Sequence, residues 1–455
     1  MKYLRIVFIT IFYSSILAQD TLTFEKFFNH IIQNHPLIQN AILSTQNNYR
    51  AYLLKSKGAF DPKINYHLQS KQFDGKNYFE FYEAEMKIPT YIGMDIYTGY
   101  NYASGLYIDN QNKIPPAGLY NAGISVPIFR NLFYDERRYN LQYARLLNKN
   151  NNILLNAQTL KTLDQILDDY WEFLEQYNIM ILYKDLVNAS YQRYLNVVNS
   201  SKTGETAMID TLDAGNQYQK FYLDYQKSVL NFQNARYKLM PHLYPINDTN
   251  FVAPVIPQNI TFENIDTTHI IQQNPDLLSY QIKLKQLNME KKLKQEFLKP
   301  QLNIKYNFLL HPFSNEYYYP LNMNNYKWGI DFSFPLFLRK ERAELKLVNL
   351  KITQTKNEFL FKQNQIQNKI KIYYNNYLNY YQQLKYAINL NQRYYEMLQA
   401  EIKNFQAGES NLFTVNTREI YYLQSKITVI ELYQKYNYYK NWLSILQKYS
   451  NTSVN

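Results

Sequence analysis

The chain has no cysteine in its 455 residues, and that absence closes several routes at once. No disulfide can staple it, no thiolate can serve as nucleophile or metal ligand, and nothing after Ala18 can carry a cysteine-linked lipid. Glycine is scarce too, 11 in all, and none of it clusters into a phosphate-cradling loop. The six histidines (His30, His35, His67, His242, His269 and His311) include no pair spaced for a metal on one helix face. Past residue 18 no apolar run reaches about 18 residues, which excludes a membrane-crossing helix. Contact with a bilayer interior then requires a closed β-barrel, the other structure that satisfies its own backbone. Asp164, Asp168 and Asp169 fall on a helical stretch and read as a solvated face. No catalytic, cofactor-binding or metal residue stands out, so neither an enzyme nor a cofactor is expected.

What is present begins with Lys2 and Arg5 before an apolar run from Ile6 to Leu17, with small Ala18 ahead of Gln19. That pattern predicts a secretory signal peptide over residues 1–18. The net charge of +12 comes from lysines spread along helix faces with no dense basic block, so nucleic acid is not an expected partner. Tyrosine, at 47 residues, suits surfaces with one apolar and one wet side, such as interface belts and coiled-coil walls.

The stretch from Asp135 to Leu239 organises the rest. It reads as one long helix, a tight turn at Lys202–Met208, and a helix returning. Leu160, Leu163, Leu167, Tyr170, Leu174, Tyr177 and Ile181 are separated by alternating steps of three and four, a coiled-coil seam. The first limb, roughly 70 residues to Gly204, would extend about 100 Å at the usual helical rise. No ordinary domain core needs such a rod.

The chain then repeats itself. Ile31–Pro36 (IIQNHP) matches Ile270–Pro275 (IIQQNP), and a proline follows 26 and 25 residues later, Pro62 and Pro300. Each opens an alternating segment; each copy reaches SVPIF (Pro127) or FSFPLF (Pro335), then a charged helix start. Each ends a long helix at a glycine turn, Gly204-Glu205 and Gly408-Glu409, 77 and 73 residues past those prolines. Five landmarks in one order at nearly one spacing indicate a duplication. The predicted division is a first repeat over 19–240, a proline-rich linker over 241–262, a second repeat over 263–449 and a tail over 450–455.

The alternating segments predict strands with one apolar and one polar face. In the second copy Leu302, Ile304, Tyr306 and Phe308 alternate with polar residues, as do Trp328, Ile330, Phe332 and Phe334. In the first copy Ile92, Met94 and Ile96 do so, then Tyr100 and Tyr102, and Tyr120 to Ile128. Such strands fit a membrane barrel with a wet lumen or a soluble sandwich; the long rods favour the barrel. The first copy has 65 residues between its prolines against 35 in the second, room for an additional hairpin around Tyr78–Ile88.

Taken with these motifs, the chain resembles the outer membrane efflux proteins, the TolC-like export channels, over residues 20 to 449. The resemblance implies a mixed α and β fold of two tandem structural repeats. It implies a homotrimer whose chains each lend four strands to one twelve-stranded β-barrel in outer-membrane lipid, continued by a periplasmic α-helical barrel of coiled coils. Its partners would be a periplasmic adaptor (membrane fusion) protein and an inner-membrane pump. Ile92, Ile124, Ile304, Trp328, Ile330 and Phe332 would then face lipid, and Gly204 and Gly408 would sit at the periplasmic turns that meet the adaptor. The family often carries two aspartates at the aperture, where this chain has Thr414 and Thr417; the matching first-copy positions are Asp210 and Asp213. Those aspartates fit a carboxylate ring and equally a helix's first turn, where the dipole favours acids. Both glycines also fit plain helix ends in the left-handed conformation. The function implied is a passive duct for efflux or type I secretion; the alternative is a periplasmic coiled-coil scaffold without channel activity.

Overall fold

The computed structural model describes residues 21–245, 260–310 and 324–451. The predicted signal peptide, most of the linker and most of the loop after Leu310 lie outside them. The chain divides into two compact units, one of residues 1–40, 159–267 and 369–448, the other of 41–158, 268–368 and 449–455.

In chain order the helices are α1 (Phe24–Asn34), α2 (Pro36–Ile42), α3 (Asn48–Lys57), α4 (Glu136–Lys149), α5 (Asn151–Lys202), α6 (Met208–Leu239), α7 (Thr267–Gln272), α8 (Pro275–Glu296), α9 (Arg339–Gln406) and α10 (Leu412–Asn451). The strands are β1 (Lys63–Phe73), β2 (Lys76–Pro89), β3 (Asp95–Ser104), β4 (Leu119–Pro127), β5 (Gln301–Leu310) and β6 (Tyr326–Ser333). Among the described residues they form one antiparallel sheet in sequence order, β1-β2-β3-β4-β5-β6.

The landmarks of the duplication are structural boundaries. Pro36 and Pro275 open helices; Asn274 caps α8 by accepting from the Asp276 N–H at 3.0 Å, and the missing proline N–H costs nothing in a first turn. Pro62 and Pro300 immediately precede β1 and β5, and Pro127 ends β4. Asp135 starts α4 by accepting the Arg138 N–H at 2.8 Å, a standard N-cap that frees no backbone donor into apolar surroundings.

The single first limb does not hold. It is two helices, parted at Asn150, whose φ of −106° and ψ of 19° leave the helical region. The break occurs without proline or glycine; the Asn150 side-chain amide donates to the Leu146 carbonyl at 2.7 Å, a bond that Asn178 also makes to Leu174 inside unbroken α5 and that does not by itself end a helix. The second copy has no such break, and α9 runs through 68 residues.

In the unit of long paired helices, the seam on α5 is where the spacing puts it: Leu160, Leu163, Leu167, Tyr170 and Leu174 are buried. Tyr177 and Phe173 meet Phe232 of α6 at ring distances of 5.5 and 5.6 Å. Tyrosine pairs also run up α9 and α10: Tyr377 with Tyr436, Tyr380 with Tyr439, Tyr394 with Tyr421 and Tyr395 with Tyr422, all within 6 Å. Much of the tyrosine content is therefore helix-seam packing, where each ring buries its face and keeps its hydroxyl near a partner or water.

A duplicated latch pins the opening segment of each copy to its long helix. Tyr170 on α5, fully buried, donates to the Leu22 carbonyl at 3.0 Å and packs on Phe24. Tyr377 on α9, also fully buried, donates to the Glu263 carbonyl at 3.1 Å and stacks on Phe262. The shared tripeptide Thr-Phe-Glu at 23–25 and 261–263 puts Phe24 and Phe262 in equivalent places, while the accepting carbonyls, Leu22 and Glu263, differ by three residues in that alignment.

In the unit that holds the sheet, α3 and α4 pack through Tyr52 and Tyr143, and α8 pairs with α9 through Lys294–Glu344 at 3.0 Å. A charged knot sits where β3 meets α4: Asp95 takes Lys87 at 3.0 Å and Arg137 at 2.9 Å. Arg138 donates to the Leu132 carbonyl at 3.0 Å, so the charged helix start clamps the loop ahead of it.

Candidate functional site

The strand register sorts every ladder residue onto one of two faces. Across β1 to β3, Tyr66 opposes Ala84 and Ala84 opposes Tyr100. Across β3 to β6, Ile96 opposes Ile124, Ile124 opposes Tyr306 and Tyr306 opposes Trp328. This face is mostly Ile, Tyr, Leu, Met, Val, Phe and Trp through the six strands, with Ser70, Glu80, Thr98 and Ser104 as polar exceptions on β1 to β3. The other carries Lys63, His67, Glu83, Lys87, Asn101, Asn121, Asn307, Lys305, Lys327 and Asp331. Side-chain period two keeps this segregation wherever the register is continuous, which fails only by a one-residue shift between Lys71 and Gln72 near the end of β1.

Three glycines, Gly99, Gly123 and Gly329, also lie on the polar face. A Cβ on Gly99 would sit 2.6 Å from the Ala84 carbonyl oxygen, and one on Gly123 would sit 2.3 Å from that of Tyr306. Neighbouring backbone thus crowds Gly99 and Gly123, where only a residue without a side chain fits, whereas Gly329 lies in open space.

Five of the six residues expected to face lipid (Ile124, Ile304, Trp328, Ile330 and Phe332) share the apolar face. Ile92 does not lie on a strand. It occupies the turn between β2 and β3, with Met94 just after it. The Thr90 N–H and hydroxyl both donate to the Met94 carbonyl, at 2.9 and 2.7 Å, and close that turn.

The two glycine turns are copies of one motif. Gly204 has φ of +81° and Gly408 of +79°. The Glu205 N–H donates to the Ser200 carbonyl at 3.0 Å and the Gly204 N–H to Ser201 at 3.2 Å; Glu409 to Asn404 and Gly408 to Phe405 repeat them at 2.9 and 3.1 Å. This is the Schellman closure, in which the left-handed glycine turns two otherwise orphaned carbonyls toward donors. The turns lie close together: Val197, Ala214 and Leu412 form one buried cluster with Tyr194 and Phe405 against it.

Thr414 and Thr417 lie in the first two turns of α10, and both hydroxyls donate within the chain, Thr414 to Asn411 Oδ1 at 2.8 Å and Thr417 to the Phe413 carbonyl at 2.8 Å. Asp210 is in the first turn of α6 and Asp213 one turn on. Among the described residues neither aspartate joins an ion pair.

No protein-family model matches this sequence, and no curated protein is detectably similar to it in sequence. Solved structures are similar in fold. The Campylobacter jejuni CmeC outer membrane channel, 14% identical, superposes over 94% of this chain and 85% of its own with a TM-score of 0.64. The Vibrio cholerae outer membrane protein VceC, 10% identical, covers 94% and 95% with a TM-score of 0.63. The open-state Neisseria gonorrhoeae MtrE outer membrane channel, 11% identical, covers 94% and 88% with a TM-score of 0.61.

The chain has the outer-membrane efflux channel fold.

Within that fold the sheet departs from the expectation of four strands per chain. Six are present among the described residues. β1 follows and β4 ends at the first copy's prolines, as β5 follows and β6 ends just before the second's. The β2–β3 hairpin is therefore the extra one, and the stretch Tyr78–Ile88 expected to hold it lies within the single strand β2, with the turn after Pro89.

Two other features of this efflux-channel fold escaped sequence reasoning. Arg193 of α5 forms a fork with Glu419 of α10, both Nη–Oε distances being 2.8 Å, with Asn416 Oδ1 at 3.2 Å from the same guanidinium. Glu419 is only 3% exposed, and it joins the first repeat to the second just behind the turns. The other is a chain of imidazoles. The Leu37 N–H donates to His35 Nδ1 at 3.3 Å, which leaves the His35 proton on Nε2, 3.1 Å from His242 Nδ1. His242 Nε2 then donates to Asp169 at 2.9 Å. Burial, with His242 and His30 nearby, holds the His35 pKa below its ordinary value. The histidine–proline pair at 35–36 was legible as a helix break, but its partners lie too far along the chain to be read from spacing.

Proposed function

We infer that this protein is the outer-membrane channel subunit of a tripartite efflux or type I secretion system, a passive duct driven by an inner-membrane pump. The observation that carries this reading is the sheet. Six strands keep most apolar side chains of their common register on one face and most charged and amide groups on the other, with Phe81, Tyr97, Leu119 and Leu309 on the polar face and Glu80 on the apolar one. That arrangement suits lipid outside and water inside, and it is unexplained by a coiled-coil scaffold. Three copies would close the barrel, because an open sheet edge in hydrocarbon leaves backbone groups unpaired. Ile124, Ile304, Trp328, Ile330 and Phe332 would face lipid. The paired helices would extend into the periplasm, with Gly204 and Gly408 at the end that meets the adaptor protein. Single-channel recording from detergent-extracted protein in a planar bilayer tests this, together with native mass measurement. Stepwise currents from a trimer are expected; a monomer without conductance refutes the reading.

A further inference from the structure

The duplication gives the seam between copies in atomic register. β5 follows Pro300 as β1 follows Pro62, and β4 ends at Pro127 as β6 ends two residues before Pro335. β4 and β5 pair within the chain, while β1 and β6, their counterparts, are the two edges of the sheet. We propose that β6 of one copy pairs antiparallel with β1 of the next in the register that β4 and β5 already display.

The register transfers residue by residue. Val126 opposes Ile304, Ile124 opposes Tyr306 and Ser125 opposes Lys305; counted from the prolines, Phe334 then opposes Tyr66, Phe332 opposes Leu68 and Ser333 opposes His67. The ladder continues inside the chain with the Ile128 N–H donating to the Leu302 carbonyl at 2.8 Å, so Leu336 and Ile64 take that place in the seam.

Three observations favour a second copy as the occupant. The parity agrees: Phe332 and Leu68 both lie on the apolar face, Ser333 and His67 both on the polar one. The residues placed opposite each other are among the most exposed apolar side chains here, Leu336 at 86% and Ile64 at 79%. Long apolar edges of this kind are templates for a further strand. Finally, six is even, so copies joined edge to edge stay antiparallel throughout and close by rotation.

The consequence is a barrel built in sixes. In the trimer of the proposed function, on which the copy number rests, it holds eighteen strands in place of twelve. Strands 4.7–4.9 Å apart at the usual tilt give eighteen a backbone diameter of about 35 Å, against about 24 Å for twelve.

The cysteine-free sequence makes the test direct. Hydrogen-bonded pairs alternate with open ones along an antiparallel ladder, and the bonded Ile128–Leu302 pair makes Ser125–Lys305 an open pair. The equivalent Ser333 and His67 then lie about 4.5 Å apart at Cα, within disulfide reach. His67→Cys with Ser333→Cys in the full chain, oxidised mildly in detergent, should give covalent dimers and trimers on a non-reducing denaturing gel. Either single variant should not, and neither should Lys71→Cys with Ser333→Cys, displaced by four residues. Cross-linking of the displaced pair instead, or of neither pair in a preparation that is oligomeric and conducts, overturns the register and leaves the channel reading standing. A monomer without conductance overturns both.

Discussion

Replacing Glu419 by glutamine removes the charge from the fork with Arg193 while keeping its shape. Both Nη–Oε contacts are 2.8 Å and Glu419 is almost wholly buried. A hydrogen bond to a charged group contributes about 1.5–3 kcal/mol. The glutamine retains one acceptor and turns an amide donor toward guanidinium donors, so one bond is lost outright and the other loses its charge assistance. Arg193 keeps some exposure, 17% of its side chain, which lets water take up part of the loss. The expected cost is about 2 kcal/mol, a factor near 30 in the local equilibrium. Arg193→Met should cost more, about 3–4 kcal/mol, because it strands a carboxylate among apolar neighbours. The double variant Arg193→Met, Glu419→Leu should recover most of that. Denaturant unfolding in detergent, followed by helical circular dichroism, gives all three values and the coupling between them. A Glu419→Gln cost below about 0.5 kcal/mol, or strictly additive singles, would show that the fork is decorative and refute the reasoning.

Ile330→Arg should impair assembly by about 2–4 kcal/mol if it lies near the bilayer midplane, whereas Ser333→Arg on the polar face should be mild; equal loss of trimer on a native gel would reverse the face assignment. At the turns, Asp210→Asn with Asp213→Asn should leave reversal potentials unchanged if the aspartates act only on the helix dipole, and a large loss of cation preference would place them at the aperture. The His35 pKa is lowered in the folded state, so its contribution is full above the ordinary histidine value near 6.5 and is lost as pH falls through the folded value. Melting temperature should therefore drop below about pH 6.5, with a smaller drop in His35→Gln; His242, which bonds both His35 and Asp169, makes His242→Gln the necessary companion. Identical pH profiles for wild type and His35→Gln would remove the imidazole chain as the cause.

The features legible in the sequence were those encoded over a few residues. Prolines mark strand and helix starts because their geometry acts on the next bond, and glycine turns are visible because few other residues adopt φ near +80°. The heptad seam on α5 was legible for the same reason. Alternation of period two was a weaker guide at its ends: Ile92 and Met94 keep the pattern but sit in a turn, since nothing in polarity separates the last strand residue from the first turn residue. The break at Asn150 was not legible, because asparagines that make the same bond to the carbonyl four residues back, Asn178, Asn288 and Asn437, sit inside continuous helices. The Tyr170 and Tyr377 latches and the Arg193 fork join residues more than a hundred positions apart. No local rule singles out one tyrosine in 47 for such a role.

The paired turns, alike in backbone, differ in what holds the helix that leaves each. Asn411 caps α10 by accepting the Thr414 N–H at 2.9 Å, a short-range bond that dissolved ions scarcely touch. Ala207 offers α6 no such bond, and the acidic residue in that first turn is Asp210, whose carboxylate would act on the helix dipole. That interaction contributes about 0.3–1 kcal/mol at low ionic strength and fades as the Debye length shrinks to about 3 Å in molar salt. Of the two like turns, the first should therefore loosen as the surrounding medium grows saltier while the second keeps its stiffness.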